Sequence, residues 1–226
     1  MNKGIVLLSG GLDSVVSLAE AKEKFNVSLA ITFNYGQKSF EEEAAASKKI
    51  AEYYNITHKI INLDWLASIT NTSLVSDEKI PSLDIGDLDN VSKAEETAKA
   101  VWVPNRNGLF VNIAGCFADA YGYNYIVIGA NSEEAATFKD NSKEFIEAVN
   151  FSLGNSVNQE VNVIAPMIDC DKYEIVRRGI ELEVPFHLIR SCYGREQKHC
   201  SGCESCNRLK RALLAHHRHD LIKILF

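Results

Sequence analysis

Apolar residues come in short bursts separated by amphipathic stretches, and that alternation predicts strands alternating with helices. Ile5-Val6-Leu7-Leu8 is the first burst, so residues 4–8 are expected as a buried strand. A helix follows over about 13–24, where Glu20 and Lys24 stand one turn apart as a favourable pair. The second burst, Leu29-Ala30-Ile31-Thr32-Phe33, ends at Asn34-Tyr35-Gly36-Gln37. Ser39 then opens a helix with Glu42 three residues on, the spacing of a capping box, and Glu41, Glu42 and Glu43 complement its positive end. A third strand is expected near 58–62. Strand, helix, strand, helix, strand implies right-handed crossovers and a parallel sheet.

Farther along, residues 107–121 are apolar on nearly every side and predict a buried helix. Strands are expected at 125–129 and 162–166, and helices at 142–151 and 173–182. Between Trp65 and Ala100 the pattern dissolves into Ser, Thr, Asn and Asp, broken by Pro81 and Gly86. That stretch exceeds a plain connection and reads either as a lid or substrate wall or as a tolerated insertion. There is no repeat, low-complexity tract or dividing linker. The fold class is therefore α/β, an open doubly wound parallel sheet flanked by helices. Residues 1–186 form its body with the 65–100 insertion, and 187–226 a small helical element packed on it.

A length of 226 residues suits one such domain. The formal charge of −6 argues against a broad phosphate-neutralising surface, so nucleic acid is not the expected partner. Charge is uneven, however. From His187 onward there are eight Lys/Arg against three Asp/Glu, leaving sixteen against twenty-seven before it. The run after Met1-Asn2-Lys3-Gly4 is too brief for a secretory apolar region, and no run approaches the ~20 residues that cross a bilayer. The expected location is cytoplasmic, where six cysteines suit metal binding and core packing better than disulfides.

Ser9-Gly10-Gly11-Leu12-Asp13-Ser14 lies between the first strand and the first helix. Glycines there let backbone N–H groups approach a phosphate, and serine hydroxyls and the helix end add donors and field. Neither a Walker lysine loop nor G-x-G-x-x-G occurs in the chain. The string resembles the pyrophosphate loop of N-type ATP pyrophosphatases. Nucleotide contacts are accordingly expected along Leu8, Ser9, Gly10, Gly11, Leu12, Asp13, Ser14, Val15, Val16, Ser17 and Leu18.

Cys192, Cys200, Cys203 and Cys206 form C-x7-C-x2-C-x2-C. Four thiolates close a tetrahedral shell, which predicts one structural zinc per chain with no open position for substrate water. An iron–sulfur cluster and chance clustering are the competing readings, and His199 is a spare ligand. Cys116 and Cys170 read as core. His216, His217 and His219 read as a solvated helix end rather than a metal tract.

In chain order, the loop, Tyr35-Gly36-Gln37, Val103-Pro104-Asn105-Arg106-Asn107, Gly129-Ala130-Asn131, Asp140, Ser191-Cys192-Tyr193 and the final C-x2-C-x2-C resemble the 7-cyano-7-deazaguanine synthase family. The resemblance spans nearly the whole chain. It implies an adenine-nucleotide alpha-hydrolase-like fold and a carbon–nitrogen-bond-forming ligase of queuosine biosynthesis. Such an enzyme takes 7-carboxy-7-deazaguanine, ammonia and ATP, and many members are homodimers with a zinc site near the active centre. Ala136-Thr137-Phe138-Lys139-Asp140-Asn141 departs from the family's Ser-Gly-Tyr-Pro-Asp-Cys-like segment, which excludes a catalytic cysteine there. Asp13 is expected to bind magnesium with ATP, and Lys38 and Arg106 to stabilise phosphate charge. Tyr35, Gln37, Asn105, Arg106, Asn131 and Asp140 are expected substrate contacts. Asp140 reads equally as a helix cap and Lys38 as a solvated cation. The rival functions are a tRNA-modifying pyrophosphatase of thiolase or lysidine-forming type and a non-catalytic adenine-nucleotide sensor.

Overall fold

In the computed structural model, which describes residues 2–226, the apolar bursts become five strands. They are β1 (Lys3–Leu7), β2 (Asn26–Asn34), β3 (Thr57–Asn62), β4 (Tyr125–Val127) and β5 (Asn162–Ile164). Met1 lies outside the described residues. All pairings are parallel, in the order β3-β2-β1-β4-β5. The chain thus starts at the centre, builds to one edge, and returns to build the other. Strand order reverses between β1 and β4, and open α/β sheets bind ligands outside the carboxyl ends of the strands at such a switch point.

Helices α1 (Leu12–Lys22), α2 (Phe40–Tyr53), α3 (Asp64–Ile69), α4 (Val91–Ala100) and α5 (Arg106–Tyr121) are followed by α6 (Ser132–Ala135), α7 (Lys143–Leu153), α8 (Lys172–Glu181), α9 (Glu204–Ala215) and α10 (His219–Leu225). Successive strand side chains point to opposite faces, which splits the first burst between two cores. Val6 and Leu8 pack with Val15, Ile50, Ile175 and Leu213, while Ile5 and Leu7 pack with Val111, Ala114 and Leu153. Coverage on both faces explains why the run is continuously apolar. Among the described residues no helix is long and apolar enough to cross a membrane.

Several expectations need correction. Segment 65–100 is not irregular throughout: α3 overlaps its start, α4 closes it, and Asn90 caps α4 by accepting from the Lys93 N–H at 3.3 Å. The buried side of α4 is Ala94, Thr97 and Ala98, too small to register as an apolar stripe. The insertion is also bolted to the cysteine-bearing element. Ser82 bridges Cys203, the Leu83 N–H donates to the Gly202 carbonyl at 3.1 Å, and Asn207 Nδ2 donates to the Leu83 carbonyl at 2.7 Å. The capping box expected at Ser39 does not form, because the Ser39 hydroxyl turns to Glu43 Oε1 at 2.6 Å. One forms instead between Asp171 and Glu174 on α8. Helix α1 stops at Lys22, although Lys24 still reaches Glu20 at 3.1 Å. Cys116 is exposed, not core, whereas His216, His217 and His219 do lie at or beyond the end of α9, with His219 opening α10.

Candidate active site

The turn after β1 is shaped by one backbone requirement. Gly10 has φ +79°, and a Cβ there would lie 2.9 Å from the Ala46 Cβ of α2, so only glycine fits. Gly11 precedes α1 without any side-chain cap of its own. Ser9 and Ser14 hydroxyls lie 3.2 Å apart, the Ser14 hydroxyl donates to the Gly11 carbonyl at 3.0 Å, and the Leu12 N–H donates to Ser191 Oγ at 3.2 Å. A distant segment therefore helps to finish the helix end. Gly129, after β4, completes the switch point: its Cβ would lie 2.7 Å from the Ser14 nitrogen.

A cleft of about 190 Å³ opens over this turn. Leu8, Ser9, Gly11, Asp13 and Ser14 line it from the loop, Tyr35, Gln37 and Glu43 from the end of β2 and α2, and Arg106 from α5. Gly129, Glu134, Arg190, Ser191 and Tyr193 also contribute to the wall. The remaining expected residues sit elsewhere. Gly10 faces α2, and Leu12, Val15, Val16, Ser17 and Leu18 are buried along α1. Lys38 donates to the Glu78 carbonyl in the insertion. Asn105 is the left-handed residue before α5, and Asn131 caps α6 by accepting from the Glu134 N–H at 3.0 Å. Asp140 accepts from the Asn107 N–H at 3.3 Å, so it serves the start of α5, while Ser142 caps α7.

The residue that sequence reasoning missed is Lys172. Its side chain is 7% exposed, and its ammonium donates to Asp13 Oδ2 at 2.5 Å and Glu134 Oε1 at 2.9 Å. Burial opposes the charge, yet the two carboxylates hold its pKa above the ordinary lysine value. Two carboxylates sharing one ammonium cannot both be fully compensated. Burial pushes Asp13 up to about 6 with Lys172 opposing it and Glu134 adding to it, and Lys172 keeps Glu134 below its usual range despite burial. Asp13 Oδ1 is buried without any partner. The signal was available: Lys172 is the first residue of α8, where a cation opposes the helix dipole unless anions are close. Arg106 carries the same signature on α5. Among the described residues its guanidinium makes one hydrogen bond, to the Tyr35 hydroxyl at 3.4 Å, and although burial works against its charge, Tyr35 and Asp140 keep its pKa raised.

The four cysteines meet behind this wall. Their sulfurs lie within 4.8 Å of one another and could hold a metal ion. Cys200 and Cys206 sulfurs are 3.8 Å apart, which is the edge of a tetrahedron with metal–sulfur bonds of about 2.3 Å. Backbone N–H groups of Gly194 and Cys203 donate to Cys192 and Cys200 sulfurs, both at 3.3 Å, as suits thiolates. His199 has both ring nitrogens engaged, by the Ser191 N–H at 3.0 Å and the Leu225 carbonyl at 3.1 Å, so it is not a fifth ligand.

Comparison with known proteins gives a consistent picture. The family model described as queuosine biosynthesis protein QueC matches residues 3–217. A 7-cyano-7-deazaguanine synthase of Methanosarcina barkeri is 49% identical over 214 residues, covering 93% of each chain. One of Carboxydothermus hydrogenoformans is 50% identical, covering 94% of this chain and 98% of the relative. One of Methanobrevibacter smithii is 48% identical over 210 residues, covering 93% of this chain and 92% of the relative.

Proposed function

The chain belongs to the queuosine biosynthesis protein QueC family, and we propose that it is the enzyme that turns 7-carboxy-7-deazaguanine and ammonia into 7-cyano-7-deazaguanine at the expense of ATP. The family favours this reading over the tRNA-modifying and sensor alternatives. The observation that carries it is the glycine turn at the strand-order switch, with Ser9, Asp13 and Ser14 facing a cleft.

The chemistry follows from the leaving group. A carboxylate cannot lose oxide to ammonia, so its oxygen first attacks the α-phosphate of ATP, giving an acyl adenylate and pyrophosphate. Ammonia then displaces AMP to give the primary amide. A second ATP activates the amide oxygen, and loss of that AMP leaves the nitrile. The product has a new carbon–nitrogen bond, as in a ligase. One site serves both rounds, because positioning and charge neutralisation supply most of the catalysis.

Ser9, Ser14 and the amides that open α1 hold the departing pyrophosphate. Arg106, short of partners beside Tyr35, faces the charge that develops at the α-phosphate. Asp13 Oδ1, buried without a partner, fits a magnesium ligand, since Oδ2 is already taken by Lys172. Magnesium supplies charge neutralisation on the phosphates. Tyr35, Gln37, Asn131 and Asp140 shape the deazapurine end, Asn131 and Asp140 by holding the helix starts that frame it. Lys38 belongs to the outer wall through Glu78. Four sulfurs this close suit a single zinc ion, which is structural. The working enzyme is a cytoplasmic homodimer.

The test is to incubate zinc-loaded protein with magnesium-ATP, ammonia and 7-carboxy-7-deazaguanine and to quantify nucleotides and nitrile. AMP, not ADP, should appear, at two per nitrile. Production of ADP, or of AMP with no nitrile, overturns the reading. A second expectation concerns Gly129→Ala. The added methyl would meet α1 backbone atoms at 2.7 to 2.9 Å, which cannot swing aside. Stability should fall by about 1–3 kcal/mol, and ATP affinity about tenfold, in thermal melts and ATP titrations.

A further inference from the structure

Resting on that reading, we propose that Arg190 is a further binding residue for the pyrophosphate end of ATP, a buried guanidinium whose missing counter-ion is the nucleotide itself. Arg190 docks on the glycine turn by its backbone: its N–H donates to the Gly10 carbonyl at 2.8 Å, and a Cβ on Gly11 would stand 3.7 Å from its own carbonyl oxygen. It lines the same cleft as Ser9, Gly11 and Ser14. The residue is 6% exposed.

A cation so placed should have an anion beside it, because burying an unpaired charge is expensive. Among the described residues, no carboxylate oxygen lies within 4.0 Å of its guanidinium. Its partners are two carbonyls, Gly194 at 2.7 Å and Gln197 at 3.4 Å, and Nε has none. Glu43, the carboxylate whose field reaches Arg190, is already used by Ser39 and Gln37. The two carbonyls fix the plane of the guanidinium and leave a charge and a donor unspent, the state of a residue preorganised for an incoming anion.

Two anions enter this cleft under the proposed reaction, a polyphosphate and the carboxylate of the deazapurine acid. The attachment of Arg190 to Gly10 and Gly11 assigns it to the polyphosphate. Arg106, held by Tyr35 and set beside Asp140, keeps its place at the α-phosphate, where the acid attacks, and not at the departing pyrophosphate.

Calorimetric titration of the zinc-loaded full chain separates these possibilities, using inorganic pyrophosphate, magnesium-ATP, AMP and 7-carboxy-7-deazaguanine as separate probes. Arg190→Gln should weaken pyrophosphate and ATP by about 10- to 100-fold, the worth of one charge-assisted contact. AMP and the deazapurine acid should change by less than about threefold on the same scale. Arg190→Lys, which keeps the charge and loses the fork, should fall between. Equal pyrophosphate affinity in wild type and Arg190→Gln overturns the proposal, as does a loss confined to the acid. A uniform loss for all four probes would mark Arg190 as structural only, and also overturns it. If Arg190→Gln releases zinc or fails to fold, the Lys variant decides by the same comparison. Should the wild type bind neither pyrophosphate nor ATP, the proposed function itself falls with it.

Discussion

Lys172→Met will be among the most damaging single changes at this site, lowering stability by about 3–5 kcal/mol and turnover by about 100-fold. Methionine matches the volume of lysine but leaves Asp13 and Glu134 facing each other with nothing between them. Both carboxylates are largely buried, at 19% and 30% side-chain exposure, so water replaces the ammonium only in part. In a chain of this size such a loss lowers the melting temperature by about 6–20 °C. The kinetic loss has a separate origin. Asp13 takes its orientation from Lys172, and a displacement of about 1 Å at a positioning group costs roughly two orders of magnitude. Lys172→Arg should not rescue, because a planar fork cannot sit between oxygens at 2.5 and 2.9 Å from one ammonium nitrogen. Glu134→Gln should be milder, since the amide oxygen still accepts. Differential scanning calorimetry and AMP release rates check each point. A Lys172→Met melting curve superimposable on the parent's would show that the ammonium is dispensable.

That pairing also marks where sequence reading reaches its limit. The glycine turn was legible because its residues are contiguous and lie between an apolar burst and a helix. The cysteines were legible because three of the four lie within seven residues. Lys172 meets Asp13 across 159 positions and Glu134 across 38, so its place at a helix start marks a cation in need of anions but does not say which ones. Helix α4 was lost for another reason, since its buried Ala94, Thr97 and Ala98 are too small to give periodicity. Ser39 had the spacing of a cap, yet burial beside Glu43 offered its hydroxyl a charged acceptor, and that partner won. Asp140 stood beside Asn141 and Ser142 in a cap-like run, but the residue it serves at the start of α5, Asn107, lies 33 positions earlier. Parallel order was legible from alternation alone. The switch between β1 and β4, which makes the cleft, required the three-dimensional pairing.

Cys203→Ser tests the other end of the same wall and should have the widest structural reach. Cys203 is 3% exposed and precedes α9, so its sulfur is one of the four that could hold a metal ion and its backbone belongs to a helix start. Structural zinc sites contribute folding free energy directly, and breaking the shell removes that contribution. The damage should spread along the named contacts. Ser82 and Leu83 are fastened to Gly202 and Cys203, Thr97 donates to Glu204 at 2.6 Å, and Arg208 joins Glu204 and Glu133. Ser191, whose hydroxyl accepts from Leu12 at the glycine turn, is itself held by Ser205 at 2.7 Å. The variant should therefore lack stoichiometric zinc and bind ATP more weakly. Its amides should exchange quickly over 71–100 and 187–226, while β1, β2 and β3, packed between two cores, stay protected. Metal analysis with hydrogen exchange reads both effects at once. Retained zinc would remove Cys203 from the shell, and lost zinc with unchanged exchange over 71–100 would show that the insertion holds its place without the metal.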